Sequence, residues 1–163
     1  MKKVIVLLAI IISVISCKNQ VKGVEADRKA GEWVSSGTKF HMGSDEQVEI
    51  VRNLISNYAA MDAEAVFANT RDSLRFFPFN LEESVMMTTN ELKEVFSLYD
   101  SIIAEPIYFL PYELDGVMSI VEVGSNETKY KKDGTVEKDF FLEKFIFEED
   151  GKIHTVRQWR AAW

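Results

Sequence analysis

From Pro106 onward, apolar and polar residues alternate with a period of two, and the same dipeptide interrupts the alternation three times, at Asp115-Gly116, Asp133-Gly134 and Asp150-Gly151. That period sends successive side chains to opposite faces of a strand, and Asp-Gly between runs rich in Val, Ile, Phe and Tyr favours a hairpin turn. The pattern predicts a four-stranded antiparallel meander over about 106–114, 117–131, 135–148 and 152–160. Gly124-Ser125-Asn126 breaks the longest run, and a bulge is expected there to bend the middle strands.

Upstream the period lengthens to that of a helix. Ser44 with Gln47 forms a capping-box pattern ahead of Val51, Leu54, Ile55 and Tyr58, which predicts a helix of about four turns. Asp62 can cap a short second helix over 63–68. Thr88 with Glu91 repeats the capping box before Leu92, Val95, Phe96, Tyr99, Ile102 and Ile103, an apolar stripe that predicts a third helix. Between the second and third helices, Leu74-Arg75-Phe76-Phe77-Pro78-Phe79 reads as an edge strand, because Pro cannot donate to a ladder. Residues 45–163 therefore form one domain.

The first residues behave differently. Lys2 and Lys3 precede an apolar run from Val4 to Ile15, too short for a spanning helix and fitted to the core of a signal peptide over 1–16. Val14-Ile15-Ser16-Cys17 resembles the lipobox of bacterial lipoproteins, so Cys17, the single cysteine of the chain, is the expected lipidation site. Several acyl chains would hold such a protein firmly at the membrane, in the bacterial cell envelope on its periplasmic or cell-surface face. Residues 17–44 then read as the lipidated N-terminus and a flexible tether, with room for one ordered stretch around Trp33 or Phe40. Loss of Lys2 and Lys3 takes two positive charges from a chain already at −7, which argues against binding nucleic acid by charge.

Helix, short helix, strand, helix and meander, closing on Phe147-x-x-Asp150-Gly151-Lys152-Ile153 with Trp159 six residues later, resembles the nuclear transport factor 2-like, or SnoaL-like, superfamily, and in particular small exported members from Bacteroidetes-type bacteria. The resemblance covers roughly residues 45–160. It implies an α+β fold in which three N-terminal helices pack on a strongly curved antiparallel sheet, a cone enclosing a cavity. Members of the superfamily include ketosteroid isomerases, polyketide cyclases, dehydratases and non-catalytic binding modules, so the fold leaves function open. Many relatives end the last strand in Tyr/Phe-x-Asp, whereas this chain reads Gln158-Trp159-Arg160.

Two-residue turns would set Phe147 opposite His154, Phe145 opposite Val156, Glu143 opposite Gln158 and Phe141 opposite Arg160, with Ile120 and Glu122 on the same face. The other face would hold Lys144 opposite Arg157, Leu142 opposite Trp159, and Val121, Val123 and Tyr108. Like charges directly opposed prefer water between them, which assigns the first face to the cavity; a bulge would exchange the two. The candidate pocket is then Phe141, Glu143, Phe145, Phe147, His154 and Gln158, a site for a small apolar ligand. Glu143 and His154 are its catalytic candidates. A carboxylate in an apolar pocket can take a proton from a carbon acid; alternatively Glu143 sits near the mouth, paired with Gln158, and His154 lies in solvent. Tyr58 and Tyr99 fall on helical stripes and read as core.

With His41 and His154 as the only histidines, no metal site is expected, and no motif calls for a cofactor. The apolar residues of the second face need a cover. Dimerisation through the sheet, common in the superfamily, makes a homodimer the expected assembly. The sequence thus points to a lipid-anchored binding module, with a cofactor-free isomerase, cyclase or dehydratase using Glu143 as the first alternative and a structural subunit of an envelope complex as the second.

Overall fold

A computed structural model describes residues 29–115 and 117–161. The expected signal segment, Cys17, the start of the expected tether and Gly116 of the first Asp-Gly pair lie outside the described residues. The elements run β1 (Lys29–Trp33), β2 (Thr38–Met42), α1 (Asp45–Ala59), α2 (Ala63–Phe67), β3 (Thr70–Phe77), β4 (Val85–Met87), α3 (Thr89–Phe96), β5 (Tyr99–Leu114), β6 (Met118–Lys131), β7 (Val136–Phe147) and β8 (Ile153–Ala161). Three helices and one eight-stranded sheet make a mixed α+β fold among the described residues. The helices do not all precede the sheet: α3 follows β3 and β4, and β1 and β2 come before α1.

The sheet order is β1-β2-β5-β6-β7-β8-β3-β4. It is not wholly antiparallel, because β3 lies parallel to β8, with Phe76 beside Val156 and Phe77 beside Arg157. Nor is β3 an edge. It stops one residue short of Pro78, and the three-residue β4 pairs along its far side. At the opposite end, residues 29–42, read above as tether, form a hairpin whose second strand joins β5 through Phe40, His41 and Met42. Phe40 packs edge-on against Tyr112 at 5.5 Å and beside Trp33 at 6.2 Å, an aromatic cluster that gives this polar stretch its anchor.

Ser44 caps α1 by accepting from the Glu46 N–H at 3.0 Å. Gln47 does not close a capping box; its side-chain carbonyl accepts from the Ser119 hydroxyl at 2.6 Å and ties the helix to β6. Thr88 and Glu91 do form a reciprocal box at the start of α3. That helix ends at Phe96, two turns earlier than the apolar stripe suggests. Asp100 and Ser101 disfavour helix by competing for backbone hydrogen bonds, and Ile102 and Ile103 instead join β5, which pairs with β6 along its whole length.

The turns decide which way the side chains face. Gly134 and Gly151 have φ of 86° and 77°, whereas neither preceding Asp has positive φ. Each loop is therefore one residue longer than a two-residue turn, with Gly in the left-handed position and the Asp carboxylate accepting from the backbone N–H two residues on. At the Gly134 turn the extra residue shifts the register by one, so Tyr130 faces Val136 and Val123 faces Glu143. Val121 and Val123 consequently belong to the face that packs on the helices, and Ile120 and Glu122 to the outer face, the reverse of the expectation. At the Gly151 turn the same shift is cancelled by a bulge at His154, which restores Glu143 opposite Gln158 and leaves Phe147 opposite Ile153. The expected bulge near Gly124 lies on the neighbouring strand, at Ile107, and Tyr108 covers the bare Gly124 Cα.

Val51 and Ile55 of α1 pack on Val121, Val123, Phe145, Phe147, Ile153 and Val156 of the inner sheet face. Burying each such side chain contributes about 1.5–3 kcal/mol. A second cluster, Ala63, Val66, Leu92, Phe96 and Ile102, joins α2 and α3 to the start of β5. Without Val121 and Val123, the outer face keeps Leu142 and the exposed Trp159 as its apolar members from the predicted set.

Candidate functional site

Between the three helices and the inner sheet face lies a cavity of about 790 Å³. Leu54 and Tyr58 of α1, Phe67 of α2, Leu92 and Val95 of α3, and Phe76 and Met87 of β3 and β4 form one side; Phe141, Phe145, Val156 and Gln158 form the other. The wall is mostly apolar, as small-molecule sites generally are, with polar groups concentrated on β6, β7 and β8.

Glu143 projects from β7 into this wall. The Gln158 amide nitrogen donates to its carboxylate at 3.0 Å across the β7–β8 pair. Burial, reinforced by the negative charge of Glu127, pushes Glu143 from the usual carboxylate range to about 7, with the Gln158 hydrogen bond and Lys129 pulling the other way. Glu127, itself only 9% exposed, forms an ion pair with Lys129, which stands over the rings of Phe141 at 5.6 Å and Tyr99 at 5.9 Å. Arg160 pairs with Asp139 at 2.6 Å and stacks over Phe79. The Tyr58 ring packs on Phe96, and burial together with the nearby Glu127 and Glu143 drives its hydroxyl well above its ordinary value, so it stays a neutral donor.

Of the six predicted pocket residues, Phe141, Glu143, Phe145 and Gln158 line the cavity together. Phe147 does not line it: it is 2% exposed and belongs to the core packed around Val51 and Ile55. His154 also lies elsewhere. As the bulged residue it leaves the strand's alternation, its Nδ1 2.8 Å from the Thr155 hydroxyl and 4.0 Å from Glu148. Burial and the charges of Arg75 and Arg71 hold it below the usual histidine range. It is therefore no partner for Glu143.

Tyr58, Ser125, Glu127 and Lys129 reach the cavity without having been predicted there. Tyr58 is both things at once, a helix-stripe residue on Phe96 and a cavity wall. Val121, Val123, Ser125, Glu127 and Lys129 sit two apart along one strand, so a single correct register would have found the last three. Among the described residues no group of acidic, histidine or cysteine side chains could hold a metal ion.

This arrangement of helices over one face of the sheet is shared with solved structures. It is the SnoaL-like, or NTF2-like, fold. A SnoaL-like protein of unknown function from Burkholderia thailandensis aligns with a TM-score of 0.56 at 14% identity, over 75% of this chain and 100% of its own. An NTF2-like protein of unknown function from Burkholderia pseudomallei gives 0.56 at 15%, over 72% of this chain and 92% of its own. TerC, co-crystallised with polyporic acid, gives 0.54 at 14%, over 71% and 91%. Neither a family model nor a curated protein matches the sequence. At these identities the likeness is one of fold.

Proposed function

We propose that the domain binds a small, largely apolar molecule in the cavity, as an exported module that a lipid on Cys17 holds at the bacterial envelope. The observation that carries the binding reading is Glu143, a carboxylate set with Gln158 among Phe141, Phe145 and Val156 beside about 790 Å³ of open space. A buried ionisable group costs free energy, and a wall of Phe and Val residues without it would pack as well. TerC, whose fold is similar, was crystallised with the small molecule polyporic acid. The anchor rests on the basic start, apolar run and lipobox-like Val14-Ile15-Ser16-Cys17. Among the described residues no helix is long and apolar enough to cross a membrane, so attachment by a helix would fall to other residues. A homodimer through the outer sheet face, where Trp159 and Leu110 are exposed, completes the reading.

Native mass spectrometry of the protein recovered from its own membrane tests all three parts. The expected species is a dimer carrying diacylglycerol mass on Cys17 and a further retained small molecule. An unlipidated, unliganded monomer would overturn the reading.

One observation favours a second reading, a cofactor-free enzyme of isomerase, cyclase or dehydratase type. Glu143 near neutrality, with the neutral Tyr58 hydroxyl in the same cavity, is suited to moving a proton on a carbon acid. Exchange of α-protons of a bound ketone with deuterated water, abolished in Glu143→Gln, separates the two readings.

A further inference from the structure

Three cations on the inner face at the cavity already have carboxylates of their own: Lys129 pairs with Glu127, Lys131 with Glu137, and Arg160 with Asp139. The other cation at the rim, Lys138, is exposed and by its register with Thr128 belongs to the outer face. Glu143 is the carboxylate left over. Its hydrogen-bond partner among the described residues is the neutral Gln158, and Lys129 acts on it from beyond ion-pair distance.

The space beside Glu143 is lined by aromatic side chains. Phe79 and Phe141 meet at 5.3 Å with a 43° tilt, and Phe145 and Phe76 complete the apolar wall. An anionic ligand would meet one unbalanced carboxylate and, among the described residues of the inner face at this wall, no cation without a carboxylate of its own. A neutral ligand would leave the imbalance as it is. A cation would remove it: Lys129 already stands over Phe141 and Arg160 over Phe79, so the attraction for an ammonium group comes from the carboxylate, and the rings offer apolar contact.

Resting on the reading that the cavity binds a small molecule, we propose that its ligand is an apolar amine, cationic at neutral pH, whose ammonium group pairs with Glu143 while its body packs on Phe79, Phe141 and Phe145. The proton balance follows directly. The amine enters as the ammonium ion, and Glu143, protonated part of the time near pH 7, gives its proton to solvent as the pair forms. Of the other groups facing it, Tyr58 from α1 is held neutral, Gln158 from β8 does not titrate, and Glu127 from β6 is paired with Lys129.

The test uses three probes of one shape, phenylbutylamine, phenylbutanol and phenylbutyrate, titrated calorimetrically into the full chain at pH 7 in buffers of differing ionisation enthalpy. The amine is expected to bind at least about tenfold more tightly than the alcohol, with the carboxylate weakest, and to release about half a proton per molecule bound. Glu143→Gln is expected to bring the amine down to the alcohol's affinity and to abolish proton release. The ranking and proton count on the unaltered protein stand even where that variant fails to fold. Equal affinity of alcohol and amine, or no proton release, would overturn the amine assignment and leave the cavity reading intact. Binding of none of the three would overturn both.

Discussion

Gln158 and Glu143 face each other across β7 and β8, and the amide of the first donates to the carboxylate of the second at 3.0 Å. The pair joins two adjacent strands at the point where the cavity wall turns polar. Its cost appears when Glu143 ionises.

Glu143 titrates near 7 in the folded chain, against about 4.5 when solvated. The folded state therefore holds a proton that the unfolded state has lost between those values, and stability falls as pH rises through that window. By linkage the loss reaches roughly 3 kcal/mol above pH 7. Urea unfolding at pH 5 and pH 8 is expected to show it, and Glu143→Gln, which keeps an acceptor for Gln158, should flatten the difference.

Gln158→Leu removes the hydrogen bond that holds the Glu143 value down. Carbon NMR of labelled glutamate side chains is expected to show Glu143 titrating higher in the variant, by up to about one unit for a lost bond worth roughly 1–1.5 kcal/mol. An unchanged titration would mean that the amide does not stabilise the ionised form.

Gly124 lies under the Tyr108 ring, and an added Cβ would come within 2.4 Å of Tyr108 Cε1 and 3.1 Å of Phe140 Cζ. Gly124→Ala is expected to cost about 1–3 kcal/mol by overpacking, and to disturb the 3.2 Å hydrogen bond from Tyr108 to Glu122. Thermal unfolding checks the first, and the Tyr108 ring resonances the second.

Thr88→Ala opens the capping box of α3, whose Leu92 and Val95 line the cavity. A loss of about 1 kcal/mol is expected, with faster amide exchange confined at first to the opening turn of that helix.

Much of this could be read along the chain. The meander, the long middle strands, both longer helices and the Glu143–Gln158 pairing all follow from period and turn residues. That pairing came out correctly because two one-residue displacements, the longer Gly151 loop and the His154 bulge, cancel. At Gly134 nothing cancels, so the faces of β6 were exchanged and Glu127 and Lys129 were missed as cavity residues. Turn length depends on one backbone angle of the Asp, which the Asp-Gly pair alone does not specify. An ordered stretch around Trp33 or Phe40 is legible in the tether, but the hairpin over residues 29–42 that holds both is not, because its composition is polar and its anchor, Tyr112, lies some seventy residues away. The parallel contact of β3 with β8 is equally remote, and no local pattern announces it.

That remote contact has a consequence for how the molecule is made. β8 is the last of the described strands to leave a ribosome, yet it sits inside the sheet, between β7 and β3. Until it arrives, β3 and β4 have no neighbour to join them to the meander, and Val156, Gln158 and Arg160 are missing from the cavity wall. Pairing across some eighty residues is slow to form, because chain closure costs entropy before any contact repays it. The cavity thus cannot exist before β8 has been made, and a ligand has nowhere to bind on a chain that stops short of that strand.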